Sequence, residues 1–214
     1  MKPNELYDLI KTTEYKTIGT AIDYKVVYNE ENNTMYVLFQ ESKQKIDWLF
    51  NLLNVFTSKV RIMLDNKLSF VKLGYGYNKA WNECETSVML DIKEILCSED
   101  VKKIVISGWS YGGGMCIPCA ISLNKYFPEE LKTVKYNVVS FGAPKTVKDK
   151  KSLEILYKLS GWKSYCHKND IVSYVVPWFY GLNQIRLGAD YSFFKLFNPC
   201  KWHCIYGDKS LYKD

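Results

Sequence analysis

Histidine is scarce in this chain: its 214 residues include two, His167 and His203. Chemistry that needs an imidazole base, or a cluster of imidazole metal ligands, must draw on these positions. No apolar stretch approaches the roughly 20 residues that cross a bilayer, so a transmembrane helix is not expected. Residues Met1 to Asp8 lack the apolar run of a secretory signal, which makes a cytoplasmic setting the expectation. The formal charge of +6 is spread over scattered lysines, with no basic stripe interleaved with aromatics. Nucleic acid is therefore not an expected partner. Repeats, low-complexity tracts and long linkers are missing too, and residues 1–214 read as a single domain.

Apolar material is plentiful. Apolar residues make up 47% of the chain, with 17 Tyr and 10 Phe, which supplies a substantial core and argues against disorder. The seven cysteines are an odd number, and Cys84, Cys97 and Cys116 fall inside apparent helices or strands. Reduced, buried thiols fit that placement better than a disulfide framework.

Helical and extended patterns alternate, which predicts an α/β fold with a mostly parallel central sheet flanked by helices. A helix is expected over Pro3–Thr13, and strands over Ile22–Tyr28 and Thr34–Phe39. Further helices are expected over Ile46–Phe56 and Tyr77–Leu96, the first apolar on one face at 46, 49, 53 and 56. Lys103–Ser107 reads as a strand, Gly108–Gly114 as a glycine-rich turn and Met115–Tyr126 as a helix. Then come a strand over Tyr136–Phe141, a helix over Leu153–Leu159, a strand over Lys163–Cys166 and a closing helix within Cys200–Leu211.

Gly108-Trp109-Ser110-Tyr111-Gly112 sits between strand and helix, the setting of a nucleophile elbow. A sharp turn there holds the serine at the sheet edge, and glycines two residues either side avoid collision with neighbouring strand and helix. Ser110 also meets a helix N-terminus, which favours developing negative charge. No Gly-Lys-Ser/Thr follows, so the turn is not a Walker phosphate loop. A serine hydroxyl needs a general base. Nucleophile, acid and histidine follow in that order on this architecture, which selects Asp170 and His203. Using His167 would reverse the order, and Asp149 and Asp190 are reserve acids. Cys200, His203 and Cys204, with Cys166 and His167, invite a zinc reading, but the spacing is not that of a standard finger and it would consume the base. Neither metal nor cofactor is expected.

Four ordered segments now show a resemblance. Val37-Leu38-Phe39-Gln40-Glu41-Ser42 before Asp47-Trp48, Val71-Lys72-Leu73-Gly74-Tyr75, the elbow, and Ser140-Phe141-Gly142-Ala143-Pro144 are similar to segments of the class 3 (fungal-type) lipases. Asn169-Asp170-Ile171-Val172 and His203-x-x-Tyr206 also match that family's pattern. The resemblance implies an α/β-hydrolase fold and a Ser110–Asp170–His203 triad, with oxyanion donors at the Ser42 and Tyr111 amides. It also implies a lid over 46–56 carrying Trp48, Leu49 and Leu52 at the substrate groove; a buried core helix is the other reading of that segment. Trp178, Phe179, Tyr180, Phe193, Phe194 and Phe197 either line an acyl pocket or pack a core. The implied activity is hydrolysis of acylglycerol or other lipid esters, with transient contact at a lipid interface. Alternatives are a small-ester or thioester hydrolase, or a catalytically weak binding module. The last is kept open because the family's Arg-Gly becomes Gln40-Glu41, and glycine often supplies a backbone angle that Glu adopts at a cost.

Overall fold

The computed structural model describes residues 1–18, 22–41, 56–64, 67–174, 179–188, 201 and 203–212. Helix α1 (Pro3–Thr12) begins with proline at its first position, and the Lys2 N–H donates to the Glu5 carboxylate at 2.9 Å. Both features suit a helix start, where amides lack intrahelical acceptors. Strands β1 (Lys16–Ile18), β2 (Ile22–Asn29) and β3 (Thr34–Glu41) form an antiparallel meander. Strands β4 (Thr57–Leu64) and β5 (Lys67–Gly74) make a separate antiparallel hairpin, leading into helix α2 (Tyr75–Ser98). Strand β6 (Lys103–Trp109), helix α3 (Tyr111–Tyr126), strand β7 (Lys135–Phe141), helix α4 (Lys150–Tyr157), strand β8 (Gly161–His167) and strand β9 (Gln184–Leu187) complete the frame.

The main sheet has the order β1-β2-β3-β6-β7-β8-β9, parallel from β3 onward. Period-two alternation sends its side chains to two cores. Met35, Val37, Phe39, Ile104, Ile106, Tyr136, Val138 and Trp162 join the core beneath α2 and α3. Tyr36, Leu38, Val105, Phe141 and Tyr165 face the opposite way and pack with Leu6, Tyr7 and Ile10 of α1. Strands buried on both faces explain the continuous apolar runs that the sequence displays.

Helix α3 starts at Tyr111 rather than Met115, so Gly112, Gly113 and Gly114 form its first turn instead of a loop. Close packing explains three poor helix formers in succession. A Cβ at Gly112 would lie 2.5 Å from the Phe39 carbonyl oxygen, one at Gly113 would lie 2.8 Å from Ala143 Cβ, and one at Gly114 would strike the Tyr77 ring. Helix α4 starts at Lys150, not Leu153, because Asp149 caps it: its carboxylate accepts the Ser152 N–H at 2.9 Å. Within the region of the expected closing helix, Lys201 and His203 are helical, and two short 3-10 turns, Ile205–Gly207 and Lys209–Tyr212, follow. The helix expected over Ile46–Phe56 lies outside the described residues except for Phe56. Among the described residues no helix is long and apolar enough to cross a membrane.

Candidate active site

Three adjacent parallel strands end at one edge of the sheet, and each delivers a residue there. This C-terminal edge is where ligands bind in open α/β sheets. Ser110 follows β6, Gly142 follows β7, and Asp170 follows β8.

Ser110 adopts φ 57° and ψ −128°, a backbone conformation that costs about 1–3 kcal/mol for a non-glycine residue. Its N–H donates to the Phe141 carbonyl at 2.9 Å, and its carbonyl accepts the Gly113 N–H at 3.0 Å. The turn leaves no room at its flanks. A Cβ at Gly108 would strike the Gly112 backbone, just as the spacing anticipates. The strain is thus held by backbone contacts on both sides of the serine. Tyr111 opens α3, and its ring stacks on Tyr77 with centroids 4.6 Å apart.

Asp170 is fully buried, and its carboxylate is well served. Oδ1 accepts the Val172 N–H at 3.0 Å. Oδ2 accepts the Tyr206 hydroxyl at 2.5 Å and pairs with His203 Nδ1 at 2.9 Å. A carboxylate on Nδ1 fixes that nitrogen as the donor, which leaves Nε2 as the acceptor on a neutral ring. Nε2 is buried and has no hydrogen-bond partner among the described residues. This nitrogen lies in the neighbourhood of the serine turn, since His203 contacts Trp109 and a Cβ at Gly142 would meet its ring.

Gly142 explains how the pair fits. Its φ is +56°, and a Cβ there would lie 2.8 Å from Asp170 Oδ2 and 3.0 Å from His203 Nδ1 and Cε1. The residue before it supplies the carbonyl that holds the Ser110 amide, so turn, acid and histidine share one patch of backbone.

Tyr206 was legible in the sequence only as part of a motif; its work is structural and electrostatic. It is fully buried, donates to Asp170 and accepts the His167 N–H at 2.9 Å. Burial, then the Asp170 charge, push its phenol well above the ordinary tyrosine range, so it stays a donor. His203 itself is tied down by its backbone: its carbonyl accepts Trp109 Nε1–H at 2.9 Å, with the two rings 4.9 Å apart. Lys11 of α1 lies 3.8 Å over the Trp109 ring.

His167 is buried at the end of β8, where Nδ1 accepts the Asn169 N–H at 3.1 Å. Asp149 caps α4 and pairs with Lys72 at 3.0 Å. Asp190 lies outside the described residues, as do Ser42, Trp48, Leu49, Leu52 and Cys200, together with Trp178, Phe193, Phe194 and Phe197. The Glu41 side chain is likewise outside them. Phe179 is buried, and Tyr180 packs against the core below α3. Cys116 and Cys119 are buried on α3 as free thiols, and burial pushes both above the ordinary thiol range. Among the described residues no cluster of His, Cys, Asp and Glu has the makings of a metal site.

Comparison with known proteins now adds to this geometry. A comparison with curated proteins finds no match. Solved structures do match in fold. Lipase II from Rhizopus niveus has a TM-score of 0.66 at 14% identity, the match covering 87% of this chain and 70% of that one. A triacylglycerol lipase from Penicillium expansum has a TM-score of 0.62 at 13% identity, covering 83% and 72%. A deletion mutant of the Rhizomucor miehei lipase in its propeptide complex has a TM-score of 0.62 at 13% identity, covering 82% of this chain but 56% of its own. This chain thus spans little more than half the length of that lipase. The family model for class 3 lipases matches residues 36–180, about two thirds of the sequence, from β3 past Asp170. The chain belongs to the class 3 lipase family.

Proposed function

We propose that the chain is a serine ester hydrolase acting on lipid carboxylic esters, with Ser110 as nucleophile, His203 as base and Asp170 as orienting acid. The observation that carries this reading is the buried Asp170–His203 pair, with Nε2 left open, beside a serine held at positive φ. Nε2 takes the Ser110 proton as Oγ attacks the ester carbonyl. Asp170 stabilises the imidazolium that forms, and Tyr206 and Val172 help hold that carboxylate in place. The Tyr111 amide, at the positive end of α3, serves as one oxyanion donor, worth about 3–4 kcal/mol; the family resemblance assigns the second to Ser42. The imidazolium then protonates the leaving alcohol, and water repeats the cycle on the acyl-enzyme.

The test is hydrolysis of p-nitrophenyl esters over a range of chain lengths, with labelling by a fluorophosphonate. Ser110→Ala is expected to abolish both, and a preference for longer acyl chains supports a lipid ester. Turnover and labelling that persist in Ser110→Ala would refute the assignment.

A further inference from the structure

The β4–β5 hairpin pairs Lys59 with Lys72, Arg61 with Phe70 and Met63 with Leu68. Directly opposed residues of an antiparallel pair lie on the same face. The intervening residues Val60, Ile62, Val71 and Leu73 turn inward to the core. The outward face is therefore apolar and cationic together. Met63 is 60% exposed, Leu68 57% and Phe70 44%, and Phe56 at the base of the hairpin is 64% exposed. The eight residues of each strand include Lys59, Arg61, Lys67 and Lys72 and no acid, while Asp65 of the connecting turn lies outside the described residues. Asp149 neutralises Lys72 alone.

Solvent is a poor partner for such a face, since a cluster of large apolar side chains on a two-stranded hairpin marks an interaction surface. The base of the hairpin is coupled to the site. The Gly74 N–H donates to the Thr146 carbonyl at 3.0 Å, and Tyr77, three residues on, stacks against Tyr111 next to Ser110.

We infer that this hairpin face docks the protein on an anionic lipid surface, inserting Met63, Leu68 and Phe70 while Lys59 and Arg61 meet the headgroups. The inference rests on the ester-hydrolase reading above and specifies where the enzyme meets its substrate phase. Charge complementarity selects the occupant: strands whose cations outnumber the nearby carboxylates suit anionic headgroups, and the apolar side chains suit the acyl boundary. A purely apolar protein partner would leave the two cations desolvated and unpaired.

The experiment is co-sedimentation with phosphatidylcholine vesicles, with and without phosphatidylglycerol. The unaltered protein is expected to bind the mixed vesicles and to lose affinity as salt rises. Lys59→Gln/Arg61→Gln and Leu68→Ser/Phe70→Ser should each bind at least tenfold more weakly, given about fivefold per headgroup-facing charge. Both should hydrolyse a soluble short-chain ester at the unaltered rate, which also shows that they fold. Ser110→Ala should bind vesicles like the unaltered protein, so failure of the hydrolase reading would leave the binding result intact. Equal binding to phosphatidylcholine alone, variants that bind as before, or a stable dimer that Leu68→Ser/Phe70→Ser dissociates would each overturn the inference.

Discussion

Gly142→Ala is a small change with a large expected consequence. The native φ of +56° costs a residue with a Cβ about 1–2 kcal/mol. The new methyl would also start 2.8 Å from Asp170 Oδ2 and 3.0 Å from His203 Nδ1, closer than carbon normally approaches either atom. Relief requires the carboxylate or the imidazole to move by roughly 0.5–1 Å, enough to break their 2.9 Å contact. A misplacement of that size in a catalytic group costs on the order of 100-fold. We expect kcat/KM on a soluble p-nitrophenyl ester to fall about 100-fold, and stability to fall by about 2 kcal/mol. That corresponds to a Tm lower by about 4–8 °C for a chain of this size. Gly161→Ala is the control, because its Cβ would meet only the movable Asn137 side-chain oxygen, at 2.8 Å. It should melt and turn over nearly as the unaltered protein does. If Gly142→Ala retains kcat/KM within threefold, the Asp170–His203 contact does not do what the mechanism requires.

Two further expectations can be checked directly. Tyr206→Phe removes the donor to Asp170 and leaves the His167 N–H without its acceptor in a fully buried site. It should cost about 2–4 kcal/mol by chemical denaturation, with kcat falling more than KM changes. Asp149→Ala should destabilise by about 1 kcal/mol near neutrality, the usual worth of an N-cap. Burial works to raise this carboxyl, but hydrogen bonds from Ser152 and Lys72 and the Lys72 charge outweigh it and hold it at about 2. Because the folded state favours the ionised form, its contribution is present above the ordinary carboxylate range and fades as pH falls toward 2. Solvent screening at this exposed pair keeps that component under about 1 kcal/mol. Melting curves of the two proteins should converge at acid pH; a constant gap from pH 7 down to 2 would refute the assignment.

Local rules made the sheet and the elbow legible. The apolar runs of β3 and β6 and the ±2 glycines around Ser110 are short-range patterns, and packing obeys them. The start of α3 was not legible, because Gly112–Gly114 look like a loop until Phe39, Ala143 and Tyr77 are seen pressing on them. The hairpin and the edge strands β1 and β9 were missed for a different reason. Half-exposed or very short strands carry no continuous apolar run, and the cations at 59, 61, 67 and 72 look like ordinary solvated surface. Asp170 and His203 were selected by their order along the chain, and the fold brings their side chains together. Their supports were not: Gly142 is needed for a contact between residues far apart in sequence, and the Tyr206 hydroxyl acts through a fold that periodicity does not encode.

The hydrogen bond from Trp109 to the His203 carbonyl joins positions 94 apart, and that from Tyr7 to the Cys204 carbonyl joins positions 197 apart. Such contacts give assembly a timetable. At about 5–20 residues per second of synthesis, His203 arrives roughly 5–20 s after the serine turn has been made. Helix α1 must wait longer still for the turn that it packs against. On the proposed mechanism, a nascent chain that carries only the serine turn is inert, and it gains its base as these long-range contacts close.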